Sequence, residues 1–364
     1  MRSLTWQGNP KPHPVWIETG DAERAAVSLA RQVRRLGESG RTFVIAERRV
    51  RKLWEEGFFD ALCRKLPDAR LISAQGGESG KTLEGLGKIF EKLITHGADR
   101  YDIVIAVGGG ALTDIVGFAA SVYMRGIRWI GVPTTLVGQL DAGMGGKTGT
   151  DLPGAKNIMG SFWNPLGVLI APAFLQTLSM REIRNGLSEA LKTGECLDSG
   201  ILSLLEKKAE GLLDKNPDAL VGLIRACARK KMEVVARDPE DKSGQRAVLN
   251  LGHTVGHAIE AVGGFRRWSH GEAVAMGLLV INSLSVECGV LSAAENERIR
   301  SLVERLGLVG RKTPEPEAIL PSLAVDKKKK GNQLMIVMPG PLGHARIAPI
   351  GAERLLDRKH WSWR

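Results

Sequence analysis

The chain has 364 residues, 43% apolar and 25% charged, enough for two cores and without the depletion of core residues that marks disorder. No apolar run reaches bilayer length, and MRSLTWQGNPKPHPVW has no apolar core behind its early arginine, so neither a membrane span nor a secretory signal is expected. A net charge of +11 suggests anionic partners, but aromatics are only 5% and no nucleic-acid-binding motif is present, so a small anionic substrate suits the cations better than nucleic acid does. Cys63, Cys196, Cys227 and Cys288 form no C-x-x-C pair and read as reduced thiols of a cytoplasmic protein.

Short apolar runs alternate with amphipathic stretches through the first half, which predicts βα units. A strand begins at Val15–Glu18, and Asp21 caps a helix reaching Leu36. Thr42–Ala46 is a strand followed by Glu47, a carboxylate that suits a ribose hydroxyl pair or, equally, a solvated surface; Arg48 and Arg49 beside it leave open a phosphorylated ribose. Leu53–Lys65 reads as helix, Ala69–Ser73 as strand, and Gly76-Gly77-Glu78-Ser79-Gly80-Lys81 leads into a helix through Leu93.

Asp102–Val107 is the clearest strand and runs into Gly108-Gly109-Gly110, with Asp114 near the start of the next helix. Glycines between a strand and a helix N-terminus let backbone amides approach a pyrophosphate, although Thr113 stands where the usual dinucleotide fingerprint has its third glycine, and the three glycines alone read equally as an ordinary tight turn. Arg128–Val132 is a further strand, ending in Pro133-Thr134-Thr135. The stretch DAGMGGKTGTDLPGAKNIMG, with Lys147 and Lys156, is too glycine-rich for regular structure and is expected to be a long functional loop.

Beyond Pro172 long amphipathic segments dominate: 179–194, 199–212, 216–237, 246–262, 270–289 and 293–307. A boundary near residue 175 divides an α/β domain (1–175) from a mainly helical domain (176–364), with a returning strand at Leu334–Met338. Arg246 to Glu272 holds three of the seven histidines. His253 and His257 share a helical face, and His270 opens the next helix after a Gly-Gly turn. Any one of them alone reads as a structural histidine. Together with Arg246, Asn250 and Glu272, they suggest two imidazoles that join a carboxylate in a catalytic metal site with one open position. Glu189, three residues before Lys192 on one helix face, is the candidate carboxylate; an exposed ion pair within the helix is the plainer reading of that spacing.

The ordered motifs GGES-GK-TL, VGGGALTDIVGFAAS-YMRG, PTTL, D-x-x-x-GGKTG, GAKN, G-L-x-E-x-x-K, R-x-x-LN-x-GHT-x-GHAIE and HGEAVA closely resemble the 3-dehydroquinate synthase family of sugar-phosphate cyclases over residues 40–345. The resemblance implies an α/β nucleotide-binding N-terminal domain and an all-α metal-binding C-terminal domain, with the active site in the cleft between them. It places the metal, Zn2+ or Co2+, on Glu189, His253 and His270. It places NAD on Glu47, Glu78, Lys81, Gly109, Gly110, Ala111, Asp114, Thr134, Thr135 and Thr177, with Lys156 near both ligands. Asp141, Lys147, Asn157, Lys192, Lys231, Arg246, Asn250 and His257 match substrate-handling positions. Arg125 matches a phosphate-binding arginine supplied by the neighbouring subunit of a homodimer, and Lys327 or Lys328 a C-terminal phosphate contact.

The implied reaction converts 3-deoxy-D-arabino-heptulosonate 7-phosphate to 3-dehydroquinate and phosphate, an aromatic-biosynthesis step of the shikimate pathway. It proceeds through transient oxidation, phosphate elimination, re-reduction, ring opening and aldol closure. A sister cyclase and a metal-dependent NAD alcohol or glycerol dehydrogenase are the alternatives. The sequence departs from the family's usual pattern at Glu47, where aspartate is common, at SEALKTG, at LDAGMGGK, and in DPEDKSGQR, which carries one extra residue before Arg246.

Overall fold

Strands that are apolar at every position need cover on both faces, and this requirement shapes the first half of the chain. A computed structural model describes residues 2–5, 13–36, 40–153, 155–310, 312–324, 329–330 and 333–363. It divides into two units, Met1–Leu178 with Lys231–Glu240, and Ser179–Lys230 with Asp241–Arg364.

The first unit runs β1 (Arg2–Thr5), β2 (Pro14–Ile17), α1 (Ala22–Arg35), β3 (Thr42–Glu47), α2 (Arg48–Leu53), α3 (Asp60–Lys65), β4 (Arg70–Ala74), α4 (Leu83–Thr95), β5 (Ile103–Gly108), α5 (Gly110–Val122), β6 (Arg128–Pro133), β7 (Lys147–Leu152), β8 (Ala155–Phe162) and β9 (Gly167–Ile170). Seven strands form one sheet in the order β1-β2-β9-β6-β5-β3-β4, parallel except for the β1–β2 pair. Alternation along β3 divides the core. Val44 and Ala46 join the cluster of Leu29, Phe58 and Ile105, while Phe43 and Ile45 join that of Ile89, Ile115 and Val104. Asp21 caps α1, its carboxylate accepting from the Arg24 amide at 2.8 Å.

Two expectations change in this unit. The helix expected over 53–65 is broken into α2, a wide π-type turn at Glu55–Phe59, and α3. Aromatic packing decides this: Trp54 and Phe58 both meet Phe174 edge-on, at 5.4 and 5.0 Å between ring centroids. The glycine-rich stretch expected to be irregular instead contains the antiparallel hairpin β7–β8. Glycine is needed there because the strands approach closely: a Cβ on Gly160 would lie 2.4 Å from the Thr148 carbonyl oxygen.

The second unit contains α6 (Met180–Leu197), α7 (Ser199–Leu213), most of α8 (Pro217–Arg237), α9 (His253–Val262), α10 (His270–Glu287), α11 (Ala293–Arg305), α12 (Leu320–Ala324) and α13 (Ala352–Leu356). It also carries a small antiparallel sheet of β10 (Lys329–Lys330), β11 (Gln333–Pro339) and β12 (Ala345–Gly351), so it is mainly rather than wholly helical. The α10 helix is apolar all round and almost entirely buried, which makes it the core around which the unit packs. The single helix expected over 246–262 is two pieces, a 3-10 turn at Gln245–Asn250 and then α9, separated by Gly252 at φ 75°. The break lets the Gly252 carbonyl reach α10, where a Cβ on Gly277 would stand 2.1 Å from that oxygen. No described helix is long and apolar enough to cross a membrane.

Candidate functional site

Glu189 lies mid-way along α6, His253 opens α9 and His270 opens α10. Small residues allow these helices to converge. A Cβ on Gly271 would come within 2.4 Å of Asn185 Cα on α6, and one on Gly256 within 3.2 Å of Val274 Cα on α10. Ser269 caps α10 in a reciprocal box with Glu272, which fixes where His270 begins. Glu272 also bonds Arg181 at 2.8 Å; it belongs to the cap.

One donor atom from each of Glu189, His253 and His270 lies within 4.8 Å of the others. Glu189 Oε1 is 3.1 Å from His270 Nε2 and 3.7 Å from His253 Nε2. The other ring nitrogens are occupied: His253 Nδ1 lies 3.1 Å from the Leu251 carbonyl oxygen, and His270 Nδ1 3.2 Å from Glu260 Oε2. Those outer partners orient both rings so that each presents Nε2 to the same point. The donor set is a buried carboxylate, a buried imidazole and a half-buried one, and it fits a divalent cation with a fourth position left for another ligand.

The electrostatics prepare Glu189 and His253 for a cation and set a proton in competition with it at His270. Burial opposes charge on Glu189, but Lys192, 2.5 Å from Oε2, and the two imidazoles hold its carboxyl well below the usual range. Burial keeps His253 well below the ordinary imidazole value, in the neutral form a cation requires. Burial also opposes protonation of His270, yet the hydrogen bonds its ring donates to Glu189 and Glu260 push it up to about 10, so a cation at this point has to displace a proton from Nε2. The Glu189–Lys192 pair, 2% and 1% exposed, is thus not the surface ion pair that its spacing also permits.

Around this centre Arg246 is buried and Asn250 half-buried on the 3-10 turn, while His257 is exposed on α9. The His257 ring stands 5.3 Å from that of His253 and 6.1 Å from that of His270. Sequence reasoning gave no role to Asn185 or Glu260. Asn185 receives the Ser269 hydroxyl at 2.6 Å and the Gly271 amide at 3.2 Å, joining α6 to the start of α10. Glu260 had a signal in its spacing, seven residues after His253 on the same helix face.

In the first unit, the nucleotide-type residues gather at the carboxyl ends of adjacent parallel strands. Glu47 ends β3, Gly108 ends β5 opposite Pro133 of β6, and Thr134 and Thr135 follow β6. Gly109 is the N-cap of α5 and carries no side-chain cap, so Gly110, Ala111 and the helix start present backbone amides. Side chains would crowd this turn: a Cβ on Gly109 would meet Thr135 Cγ2 at 3.2 Å, and one on Gly110 would meet Ala142 Cβ at 3.2 Å. A Cβ on Gly76 would overlap the Glu47 carboxylate, which lies against it.

Lys81 is buried, 2.6 Å from Asp114 Oδ2, and also donates to Asn157 Oδ1. Burial raises Asp114 to about 6 although Lys81 opposes the shift. Lys156 lies 3.9 Å from exposed Glu78. Asp141 pairs with Lys231, Lys147 is exposed at the start of β7, and Thr177 bonds the Phe174 carbonyl oxygen at 3.2 Å. Arg125 is exposed on the turn after α5, at φ 65° beside Met124 at φ 48°. Lys327 and Lys328 lie outside the described residues.

Residues 71–185 match the 3-dehydroquinate synthase N-terminal family and residues 186–329 the 3-dehydroquinate synthase C-terminal family. A 3-dehydroquinate synthase from Rhodopirellula baltica is 34% identical over 359 residues, covering 95% of this chain and 93% of the relative. Among solved structures, 2-epi-5-epi-valiolone synthase from Streptomyces hygroscopicus subsp. jinggangensis, with NAD+ and Zn2+ bound, is 28% identical with a TM-score of 0.85, covering 96% of each chain. A 2-deoxy-scyllo-inosose synthase complexed with carbaglucose-6-phosphate, NAD+ and Co2+ shares the fold, at 22% identity and a TM-score of 0.87 over 99% of this chain and 100% of that one.

Proposed function

The chain belongs to the 3-dehydroquinate synthase family, and from that premise we propose that it is an NAD- and divalent-metal-dependent carbon-oxygen lyase converting 3-deoxy-D-arabino-heptulosonate 7-phosphate to 3-dehydroquinate and phosphate. The observation that carries this reading is the convergence of Glu189, His253 and His270, each held by a partner of its own. When bound there, Zn2+ or Co2+ would acidify a substrate hydroxyl, and NAD would accept and return a hydride.

The protein's own groups do the rest. Glu260 and the Leu251 carbonyl keep both ligand rings in one tautomer. Lys192 holds Glu189 ionised, and its ammonium is a further cation beside the reacting oxygens. Arg246, Lys147 and Lys231 recognise the carboxylate and phosphate of the substrate, with the planar guanidinium suited to two-point contact. Asp141 and Asn250 orient substrate hydroxyls, Asn157 binds substrate, and exposed His257 carries a proton near the phosphate. The amides of Gly109, Gly110 and Ala111 receive the pyrophosphate at the start of α5, Thr134, Thr135 and Thr177 supply hydroxyls, and Glu47 takes the ribose. Glu78, Lys81, Asp114 and Lys156 complete the cofactor contacts.

The partner is a second copy of this chain, to which Arg125 is offered. Exposed Val122, Met124, Ile158, Met159 and Phe162, on the elements flanking Arg125 and on β8, support such a contact. Lys328 contributes a phosphate contact. Four free cysteines suit the reducing cytoplasm.

A sister sugar-phosphate cyclase is the second reading, favoured by the likeness to the valiolone synthase. Supplying the heptulosonate phosphate with NAD+ and Zn2+ or Co2+ decides between them. Phosphate and 3-dehydroquinate should appear together without net NADH. Turnover only of sugar phosphates that lack a carboxylate would select the sister reaction, and net NADH a dehydrogenase.

A further inference from the structure

Resting on the proposed cofactor role of the first unit, we infer that the cavity beyond Glu47 is a phosphate-monoester subsite that admits a dinucleotide phosphorylated on its adenosine ribose, so that NADP+ binds as well as NAD+. The cavity holds about 180 Å3, and Arg48, Ser73, Ser79, Lys88 and Lys92 are among the residues that line it, over an apolar floor that includes Ile72 and Ile115. Its position follows from the sheet. Glu47 pairs in register with Ala74, and both Ala74 and Arg48, the residue after Glu47, line the cavity. It therefore begins one residue beyond the carboxylate placed to hold the ribose hydroxyls, where a 2′ substituent would project.

The chemistry there is that of an anion site. Arg51 reaches Ser73 Oγ at 3.3 Å, Lys92 donates to the Ser73 carbonyl oxygen, and Gln75 donates to Ser79 Oγ at 3.1 Å. Arg48, Lys88 and Lys92 thus line the cavity beside the end of β4, with Arg51 bonded to Ser73 next to it and paired with Glu55 at 3.5 Å, and α4 starts at the same place with Thr82 as its N-cap. The Thr82 hydroxyl receives the Gly85 amide at 3.1 Å, and the positive end of a 13-residue helix adds to the field. Glu84 pairs with Lys88, and Glu47 opposes a dianion from the ribose side. That opposition is why acceptance of both dinucleotides is expected and not a switch to the phosphorylated one. Arg48, Arg51, Lys88 and Lys92 stand against three carboxylates, Glu47, Glu55 and Glu84, and the guanidinium of Arg48 supplies the planar donor fork that phosphate favours.

The experiment titrates the full chain with NAD+ and, separately, NADP+ by calorimetry at low and moderate salt. The same titrations follow for the Arg48→Ala/Lys88→Ala double variant, whose exposed side chains can be removed without disturbing the core. NADP+ should bind wild type within about tenfold of NAD+ and more weakly as salt rises. The variant should lose at least about tenfold in NADP+ affinity and less than about threefold in NAD+ affinity. Inorganic phosphate should compete with NADP+ and leave NAD+ unaffected. Wild type that binds NAD+ but takes NADP+ more than about a hundredfold more weakly overturns the inference, as does a variant that loses both equally. Phosphate binding that leaves NADP+ affinity unchanged overturns it too, since the cavity would then hold only a free ion. Failure of both dinucleotides to bind instead removes the cofactor reading on which this one stands.

Discussion

The proposed metal centre and the proposed nucleotide cradle are built from opposite materials. The centre is made of side chains with partners of their own: buried, ionised Glu189 with Lys192, buried, neutral His253 with the Leu251 carbonyl, and half-buried His270 with Glu260. The cradle is made mostly of backbone, glycine amides at a strand end and a helix start, with side chains such as Glu78 left exposed. The first arrangement depends on every member because an uncompensated buried charge is expensive. The second tolerates loss of any one side chain but not the addition of a Cβ.

The strongest way to break this contrast is Glu189→Gln. It removes the proposed carboxylate ligand and leaves Lys192 buried beside a neutral amide. Bound metal should fall below about a tenth of wild type, turnover should stop, and unfolding free energy should drop by about 3 to 5 kcal/mol. Elemental analysis and denaturant titration check this, and retained metal would remove Glu189 from the site.

Six residues further along α6, Glu195 sharpens the point from the other side. It is fully buried, with Asn282 donating to it at 2.9 Å, and burial outweighs that bond and raises its carboxyl from the usual 4.5 to about 8. Between those values the folded protein keeps a proton that the unfolded chain has released. Stability is therefore fullest below pH 4.5 and is lost as pH rises through about 8. Glu195→Gln should flatten that decline and raise stability at pH 8 by on the order of 4 kcal/mol. A wild-type stability that is level from pH 5 to 8 would contradict it.

Glu260→Gln should act more gently, because in the proposed site it would influence a bound metal through His270. Chelator competition should show affinity reduced about 10- to 100-fold with NAD+ binding intact. Smallest of the four, Gly110→Ala should weaken NAD+ binding by about tenfold without changing metal content, since the new methyl presses only on Ala142. Parallel loss of both ligands would show that the two sites are not built separately.

Much of this was legible in the chain before folding was considered. Runs such as Ile103–Gly108 are buried at every position because nothing in them can face water, and Gly108–Gly110 at the end of that run reads as a backbone-lined turn. Asp21 and the Ser269/Glu272 box fix helix starts from local chemistry alone. The break at Gly252 and the β7–β8 hairpin were not legible. In both, glycine serves a close approach to a distant partner, and composition alone reads it as a gap in regular structure.

The sequence by itself determined which chemical groups the protein owns and which strands and helices present them, because those follow from neighbours within a few residues. Only the tertiary structure decided that Glu189 meets His270, 81 residues away, and that Glu260 turns the imidazole toward it. Such a meeting depends on how closely two helices can approach. Here that is settled by the missing side chain of Gly271 against Asn185, a contact that no local pattern encodes.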